Sequence, residues 1–402
     1  MADPWLTIIG MGEDGVPGLS AASRAALEAA EVVTGSARLM GLLAEGGAAS
    51  GAQHRVWPVP FEDGIEPLLA LRGRRVVVLA SGDPFWFGAG ATLAPRLEPG
   101  EWRAIPGPST FAHAAARLGW PLEETLCLGL HATPFERLTP SLAPGLRAIL
   151  LLRDGAAPAA LAAWLTGRGF GASELTVLEA LGGPVERVRQ ATAAGFALDD
   201  IRHPVAVALE AAGGPALPCV SGLPDDAFAH DGQITKRPVR ALTLSALAPR
   251  AGERLWDIGA GSGSISIEWL LSAPRSKAVA IERDPARAAR IRENGAHYGL
   301  SALEAVEGKA PDALDCLETE PDAVFIGGGL SQSLLEALWR RLRSGTRVVA
   351  NAVTLESEAL LAHWQAETGG TLLRIELSEA APLGARRGWR ASYPVVQWST
   401  VR

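Results

Sequence analysis

The chain has 402 residues, enough for two or three domains at about 150 residues each. Charged residues make up 20% and apolar residues 48%, the balance of a soluble globular protein, which excludes a disordered or fibrous chain. A net charge of -7 supplies no overall basic field and argues against a nucleic-acid partner. Cys127, Cys219 and Cys316 lie far apart with no CxxC spacing, so neither a disulfide framework nor a zinc site is expected, and a reducing cytoplasm fits. The first five residues carry no basic segment, and no apolar run approaches the roughly 18 residues of a membrane helix, so neither a leader nor a membrane partner is expected.

Short β-rich runs alternate with Ala/Leu-rich helical stretches along the whole chain, which predicts α/β architecture with largely parallel sheets. In the first half, strands are expected at 6–9, 76–80, 148–152, 175–178 and 205–209. The first runs into a glycine turn, LTIIGMG; the second leads into LASGDPFWFG, where Pro84 favours an extended Asp83; a third strand-then-turn reads IPGPSTF. Residues 212–224 are rich in Gly and Pro with little periodicity and form the expected linker, so the chain divides into domains at 1–213 and 222–402.

After a helix at 239–247, the stretch LWDIGAGSGSISIE describes a buried strand, a glycine turn and a helix start. Gly259, Gly261 and Gly263 let the backbone turn sharply and approach a ligand closely. The next strand, 278–281, ends in Glu282, close to the offset of about 20 residues at which an acidic side chain reaches ribose hydroxyls. Ser264 stands where the third glycine of a dinucleotide fingerprint would be, so a pyrophosphate ligand is disfavoured. The spacing resembles instead the first motif of Rossmann-like methyltransferases that bind S-adenosylmethionine. Asp257 is expected to orient this loop. Further strands fit at 323–326 and 347–350.

In the first half, GMG, SGDPxxFG and PGPST in this order resemble the tetrapyrrole methylase family. The resemblance implies a two-lobed fold holding S-adenosylmethionine between its lobes, with Gly10, Ser81, Gly82, Asp83, Ser109 and Thr110 lining the cleft. In the second half, Thr235-Lys236-Arg237, DIGAGSGSISIE, EGKAPDAL, DAVFIGGG and NAVTLES resemble the decarboxylating precorrin methyltransferase module. Cofactor contacts are thereby implied for Thr235, Gly259, Ala260, Gly261, Ser262, Gly263, Glu282 and Ala310. The chain departs from the usual pattern at Met11, Ala180 and Lys309, and no role is given to Lys309. Together the modules resemble the precorrin-6Y 5,15-methyltransferase (decarboxylating) family of cobalamin biosynthesis, which implies methylation of a tetrapyrrole at carbons 5 and 15 with loss of the ring C acetate carboxyl.

That substrate carries several carboxylates, for which arginine forks are the natural partners. Arg386, Arg387 and Arg390 form one cluster and Arg237 and Arg240 another; each is either an anchor or, the more ordinary reading, a solvated face. The seven histidines show no metal-ligand spacing and no metal is expected; Trp86 and Trp389 are packing residues or walls for a flat macrocycle, packing being the safer reading. A small-molecule tetrapyrrole partner and a homo-oligomer are expected. Two rival readings are a methyltransferase for RNA or another small molecule with a degenerate first domain, and a non-catalytic tetrapyrrole carrier; a dehydrogenase is a distant third.

Overall fold

Runs such as LTIIGM and VVVLAS are apolar at successive positions, and such strands need cover on both faces of their sheet. The computed structural model describes residues 4–402. Two compact units result, one comprising the residues up to Phe135 and Leu142–Ala216, the other Glu136–Ser141 and Leu217–Arg402.

The first unit contains two sheets. Strands β1 (Leu6–Met11), β2 (Val32–Gly35), β3 (Gln53–Val56), β4 (Val76–Ser81) and β5 (Trp102–Ile105) pair in the order β3-β2-β4-β1-β5, all parallel. Leu6, Ile8, Val76 and Val78 bury one face against Trp57 and Ile65, while Ile9, Met11, Val77 and Leu79 bury the other against Leu27, Leu39 and Leu43. Each such side chain contributes about 1.5–3 kcal/mol. The loops at the carboxyl ends of these strands are therefore mounted on a rigid support.

Strands β6 (Leu126–Gly129), β7 (Arg147–Leu152), β8 (Glu174–Glu179), β9 (Arg187–Thr192) and β10 (Val205–Glu210) form the second sheet in the order β6-β7-β10-β8-β9. Only β6 and β7 are parallel; the other three pairs are antiparallel, which corrects the expectation of largely parallel pairing here. The helix Ala157–Gly167 joins β7 to β8 so that both run the same way, and β10 returns between them. Because β10 is buried on both faces, its apolar run carries no sign of direction.

In the second unit, β11 (Arg254–Ile258), β12 (Lys277–Glu282), β13 (Leu303–Glu307), β14 (Ala323–Ile326) and β15 (Arg347–Ala352) are parallel in the order β13-β12-β11-β14-β15. Strand β16 (Thr371–Ile375) and β19 (Val395–Val401) extend the sheet antiparallel, whereas β17 (Ser378–Leu383) and β18 (Arg386–Ala391) pair as a separate hairpin. Trp256, Ile258, Val324 and Val348 cover one face; Leu255, Phe325, Val349 and Trp269 cover the other. The chain proceeds from β11 to β12 and β13 on one side and then crosses to β14 on the other. Open α/β sheets bind ligands at such a reversal point, beyond the carboxyl ends of the strands.

The Gly/Pro-rich run is not all linker: Leu217 and Leu223 within it pack with Phe228, Ile267 and Tyr298 in the second unit.

Candidate functional site

The glycine loop of the second unit leaves β11 at that reversal point. The backbone N–H groups of Gly259 and Ala260 both donate to the carbonyl of Ile281, at 2.9 and 3.2 Å, which bends the chain sharply. Gly259 has φ +68°, and a Cβ there would lie 2.6 Å from Gly328 Cα; Gly263 has φ +76°, and its Cβ would meet Ile291 at 3.0 Å. At Gly261, φ is +60° but the nearest atom to a Cβ would be the Gln233 carbonyl at 3.6 Å. Two of the three glycines thus serve close packing, whereas a Cβ on Gly261 would make only an ordinary contact with the Gln233 carbonyl.

Glu282 lies beneath this loop at the end of β12, 5% exposed. Its Oε2 accepts the Gly261 N–H at 2.9 Å and its Oε1 the Asp284 N–H at 3.1 Å. Each oxygen keeps a second acceptor site for a ligand hydroxyl. Gly308 N–H donates to the Glu282 carbonyl at 2.9 Å, bringing the segment that carries Ala310 alongside. Ala260 accepts the Gly263 N–H at 2.8 Å, closing the turn. Ser262 is 2% exposed, and its carbonyl accepts from Asn294 Nδ2 at 2.9 Å. Asp257 is fully buried and accepts from the Ser266 N–H at 3.2 Å and hydroxyl at 2.7 Å, so it fastens the helix Ser264–Ser272 to β11. Burial pushes its carboxyl up to about 7; the Ser266 bonds oppose this and the Glu282 charge adds to it.

Segment 225–235 is strapped beside the loop. Ala229 exchanges two hydrogen bonds with the Asn294 amide, at 2.8 and 3.0 Å, and Tyr298 donates to the Ala227 carbonyl at 2.9 Å. Asp231 accepts from Arg287 at 2.8 Å and faces Arg290 at 3.4 Å; chiefly the Arg287 bond holds its carboxyl at about 2. Arg240 is 0% exposed: it donates to Glu268 at 2.6 Å and to the carbonyls of Thr235, at 2.6 Å, and Leu223. It is therefore neither a solvated residue nor available to a substrate, and both sequence readings of it are corrected. Through it, Thr235 is tied to Glu268, which also accepts the N–H groups of Gly222 and Leu223 at 2.5 and 2.9 Å.

Three loops meet at the carboxyl ends of β1, β4 and β5 in the first unit. A Cβ on Gly10 would overlap the Gly82 carbonyl oxygen and the Gly107 nitrogen, so these backbones touch. Gly82 has φ +61°. Asp83 accepts the Phe85 N–H at 2.7 Å and shapes its own turn. Ser109 is 8% exposed and caps the helix Thr110–Leu118 by accepting the Ala112 N–H at 3.1 Å, which leaves Thr110 half-buried in the first turn. Ser81 is exposed and accepts from Arg38 at 3.0 Å. Arg38 gave no motif signal; its importance depends on a contact across 43 residues of chain.

The remaining expected groups fall apart. Arg386, Arg387 and Arg390 lie on the exposed β17–β18 hairpin, where Trp389 is 80% exposed, so packing is not its role. Trp86 is 38% exposed and lies against Phe111 with ring centroids 4.9 Å apart. Arg237 is exposed, and its backbone N–H donates to Asp225 at 3.0 Å.

Residues 6–197 match the model for tetrapyrrole (corrin/porphyrin) methylases, and residues 226–402 match that for the precorrin methyltransferase domain. A Sinorhizobium protein named precorrin-6Y C(5,15)-methyltransferase (decarboxylating) is 50% identical, the alignment covering 99% of this chain and 97% of that protein. The chain belongs to the precorrin-6Y C(5,15)-methyltransferase (decarboxylating) family. Another similar protein, from Sulfolobus acidocaldarius, is named a probable cobalt-precorrin-6B C(15)-methyltransferase (decarboxylating); it is 32% identical over 42% of this chain and 91% of its own length. The crystal structure of the C-terminal domain of precorrin-6Y C5,15-methyltransferase from Rhodobacter capsulatus is 57% identical over 46% of this chain and all of that one, with a TM-score of 0.45. Within the precorrin-6Y C(5,15)-methyltransferase family, then, the two loop systems described above occupy the two matched regions.

Proposed function

We propose that the protein methylates a precorrin macrocycle at carbons 5 and 15 and removes carbon dioxide from the ring C acetate, using S-adenosylmethionine in each of two units divided within 213–222. Membership of the precorrin-6Y C(5,15)-methyltransferase family supports the overall reaction. The single observation that carries the cofactor assignment is the pairing of Gly261, the one loop glycine whose Cβ would meet no close packing, with the buried Glu282 carboxylate that its N–H binds. A neutral, flat adenosine fits there, with Glu282 accepting from ribose hydroxyls and Thr235, Ala260, Ser262 and Ala310 around it. Gly10, Ser81, Gly82, Asp83, Ser109 and Thr110 hold a second molecule in the first unit.

When bound, the cofactor supplies an electrophilic methyl group on a sulfonium. The chain's own contribution is approach, alignment and exclusion of water. The glycine loops set how closely the reacting partners can come, and the strap at 225–235 keeps the second loop in one conformation. Decarboxylation needs an electron sink, which a protonated imine of the macrocycle provides. Carbon 5 is assigned to the first unit; carbon 15 and decarboxylation belong to the second, in keeping with the shorter Sulfolobus protein named for those two steps together.

Incubation of the full chain with precorrin-6Y and methyl-labelled cofactor, followed by mass measurement, tests the reaction: two methyl groups gained and one carbon dioxide lost is the expected product. Asp83→Ala should suppress one methylation while decarboxylation persists, and Gly261→Val should abolish decarboxylation and the other methylation. Equal loss of every step in both folded variants would replace two sites by one.

A further inference from the structure

The loop that leaves β4 in the first unit holds apolar surface out into water. After Ser81, Gly82 and Asp83 it reads Pro84, Phe85, Trp86, Phe87, and the three aromatic residues are 44%, 38% and 41% exposed. No charged residue occurs from Pro84 to Pro95. Asp83, at the start of the loop, directs one carboxylate oxygen to the Phe85 N–H. Contiguous exposed aromatics of this kind mark a surface that something covers.

The loop is knotted, so the rings cannot simply turn inward. Trp86 N–H donates to the Asp83 carbonyl at 3.3 Å and Gly90 N–H to the Pro84 carbonyl at 2.9 Å. A Cβ on Gly88 would lie 2.7 Å from the carbonyl oxygens of both Asp83 and Pro84. Phe87 has φ +57°, a left-handed conformation that a bulky side chain rarely adopts and that persists where the surroundings impose it. Each ring is also braced: Phe85 lies 5.4 Å from Trp102 of β5, and Trp86 and Phe87 lie 4.9 and 5.9 Å from Phe111, centroid to centroid. Phe111 is 1% exposed and follows Ser109 and Thr110 in the chain. A Cβ on Gly129, at the end of β6, would lie 3.0 Å from Phe87 Cδ1, so the Phe87 ring reaches across to the second sheet.

We infer that Phe85, Trp86 and Phe87 form the wall on which the flat face of the tetrapyrrole lies in the first unit. The inference rests on the function proposed for that unit. Two observations select this occupant. The wall is continuous along the chain with Ser81, Gly82 and Asp83 and, through Phe111, with Ser109 and Thr110, so a molecule lying on it lies beside the loops assigned to the methyl donor. Its rings are uncharged and held rigid, which suits the apolar, conjugated face of a macrocycle whose carboxylates project from the rim into water. A preorganised wall also orders little on binding, so contact with the macrocycle is not offset by lost side-chain freedom.

The test uses the full chain labelled with 5-fluorotryptophan, the Trp86 resonance being the one missing from the fluorine NMR spectrum of Trp86→Phe. Precorrin-6Y without cofactor should shift that resonance. Trp86→Leu should raise KM for carbon 5 methylation about 10-fold, the scale of losing one planar ring from an aromatic platform, with kcat and cofactor affinity near wild type, and Trp86→Phe should recover most of the loss. An unmoved Trp86 signal together with an unchanged KM in Trp86→Leu would overturn the wall. A changed sedimentation mass of Trp86→Leu with unchanged KM would also overturn it and assign the loop to contact between copies of the chain. If Trp86→Leu melts early, Phe85→Leu takes its place; failure of both to fold would count against the wall, because half-exposed rings kept for substrate are not needed for folding. Precorrin-6Y that shifts Trp86 but is never methylated would refute the proposed function and leave the wall standing.

Discussion

Arg240→Met distinguishes a guanidinium that builds the site from one that grips substrate. Arg240 is wholly buried, 2.6 Å from Glu268 and 3.2 Å from Asp225, and lies over the Phe228 ring at 4.8 Å. Methionine fills much of the same volume but leaves Glu268, 2% exposed, as a buried charge without its partner. Breaking a buried ion pair from one side costs about 3–5 kcal/mol. The two N–H bonds that Glu268 keeps from Gly222 and Leu223 place the cost near the lower end, about 3 kcal/mol. At about 2–4 °C per kcal/mol for a unit of this size class, Tm should fall by about 6–12 °C. Scanning calorimetry at fixed pH and protein concentration measures this, with substrate KM recorded on the same preparation. Arg240→Met combined with Glu268→Gln should recover part of the loss, since no lone charge remains. An unchanged Tm with a raised KM would refute the structural role and restore Arg240 as a substrate anchor.

The other substitutions probe the loop and the buried carboxylates. Gly261→Ala should weaken cofactor binding to the second unit in calorimetric titration while costing only the about 1–2 kcal/mol of a left-handed alanine; Gly259→Ala, driven against the Gly328 backbone, should destabilise the fold more, and the reverse ranking would disprove the packing argument. Glu282→Gln should lose about 1.5–3 kcal/mol of cofactor affinity, roughly 10- to 150-fold in Kd, in that unit only; unchanged affinity removes Glu282 from the site. For Asp257 the folded pKa of about 7 exceeds the ordinary carboxyl value of 3.8, so the native state binds the extra proton between those values and stability falls as pH rises from about 4 to about 7, then levels. Urea midpoints of the cofactor-free protein should show that slope flattened in Asp257→Asn, and identical slopes would contradict the shift.

Much of the architecture is legible without coordinates because it depends on local chemistry. The runs at 6–9, 76–80 and 255–258 are apolar on both faces and end in glycines, and these properties specify a buried parallel strand leading into a tight turn whatever surrounds them. The Glu282 position follows in the same way, from one strand length beyond the glycine loop. Direction within the second sheet of the first unit was not legible, since an apolar strand reads alike from either end. Exposed strands such as β3, β17 and β18 carried too little hydrophobic pattern to be found.

The sequence by itself determined the two α/β units, their glycine loops and the family resemblance, because motifs are contiguous and their spacing encodes backbone geometry. Only the tertiary structure decided what individual polar groups do. It placed Arg240 in the interior rather than at a carboxylate site, made Ser109 a helix cap, and joined Glu13, Arg38 and Ser81 from positions scattered over the first unit. Burial and contact between residues remote in sequence arise from the packing of whole elements. Local patterns carry no record of which distant side chain will stand opposite a charge, so the role of each of these residues could be read only after the chain had folded.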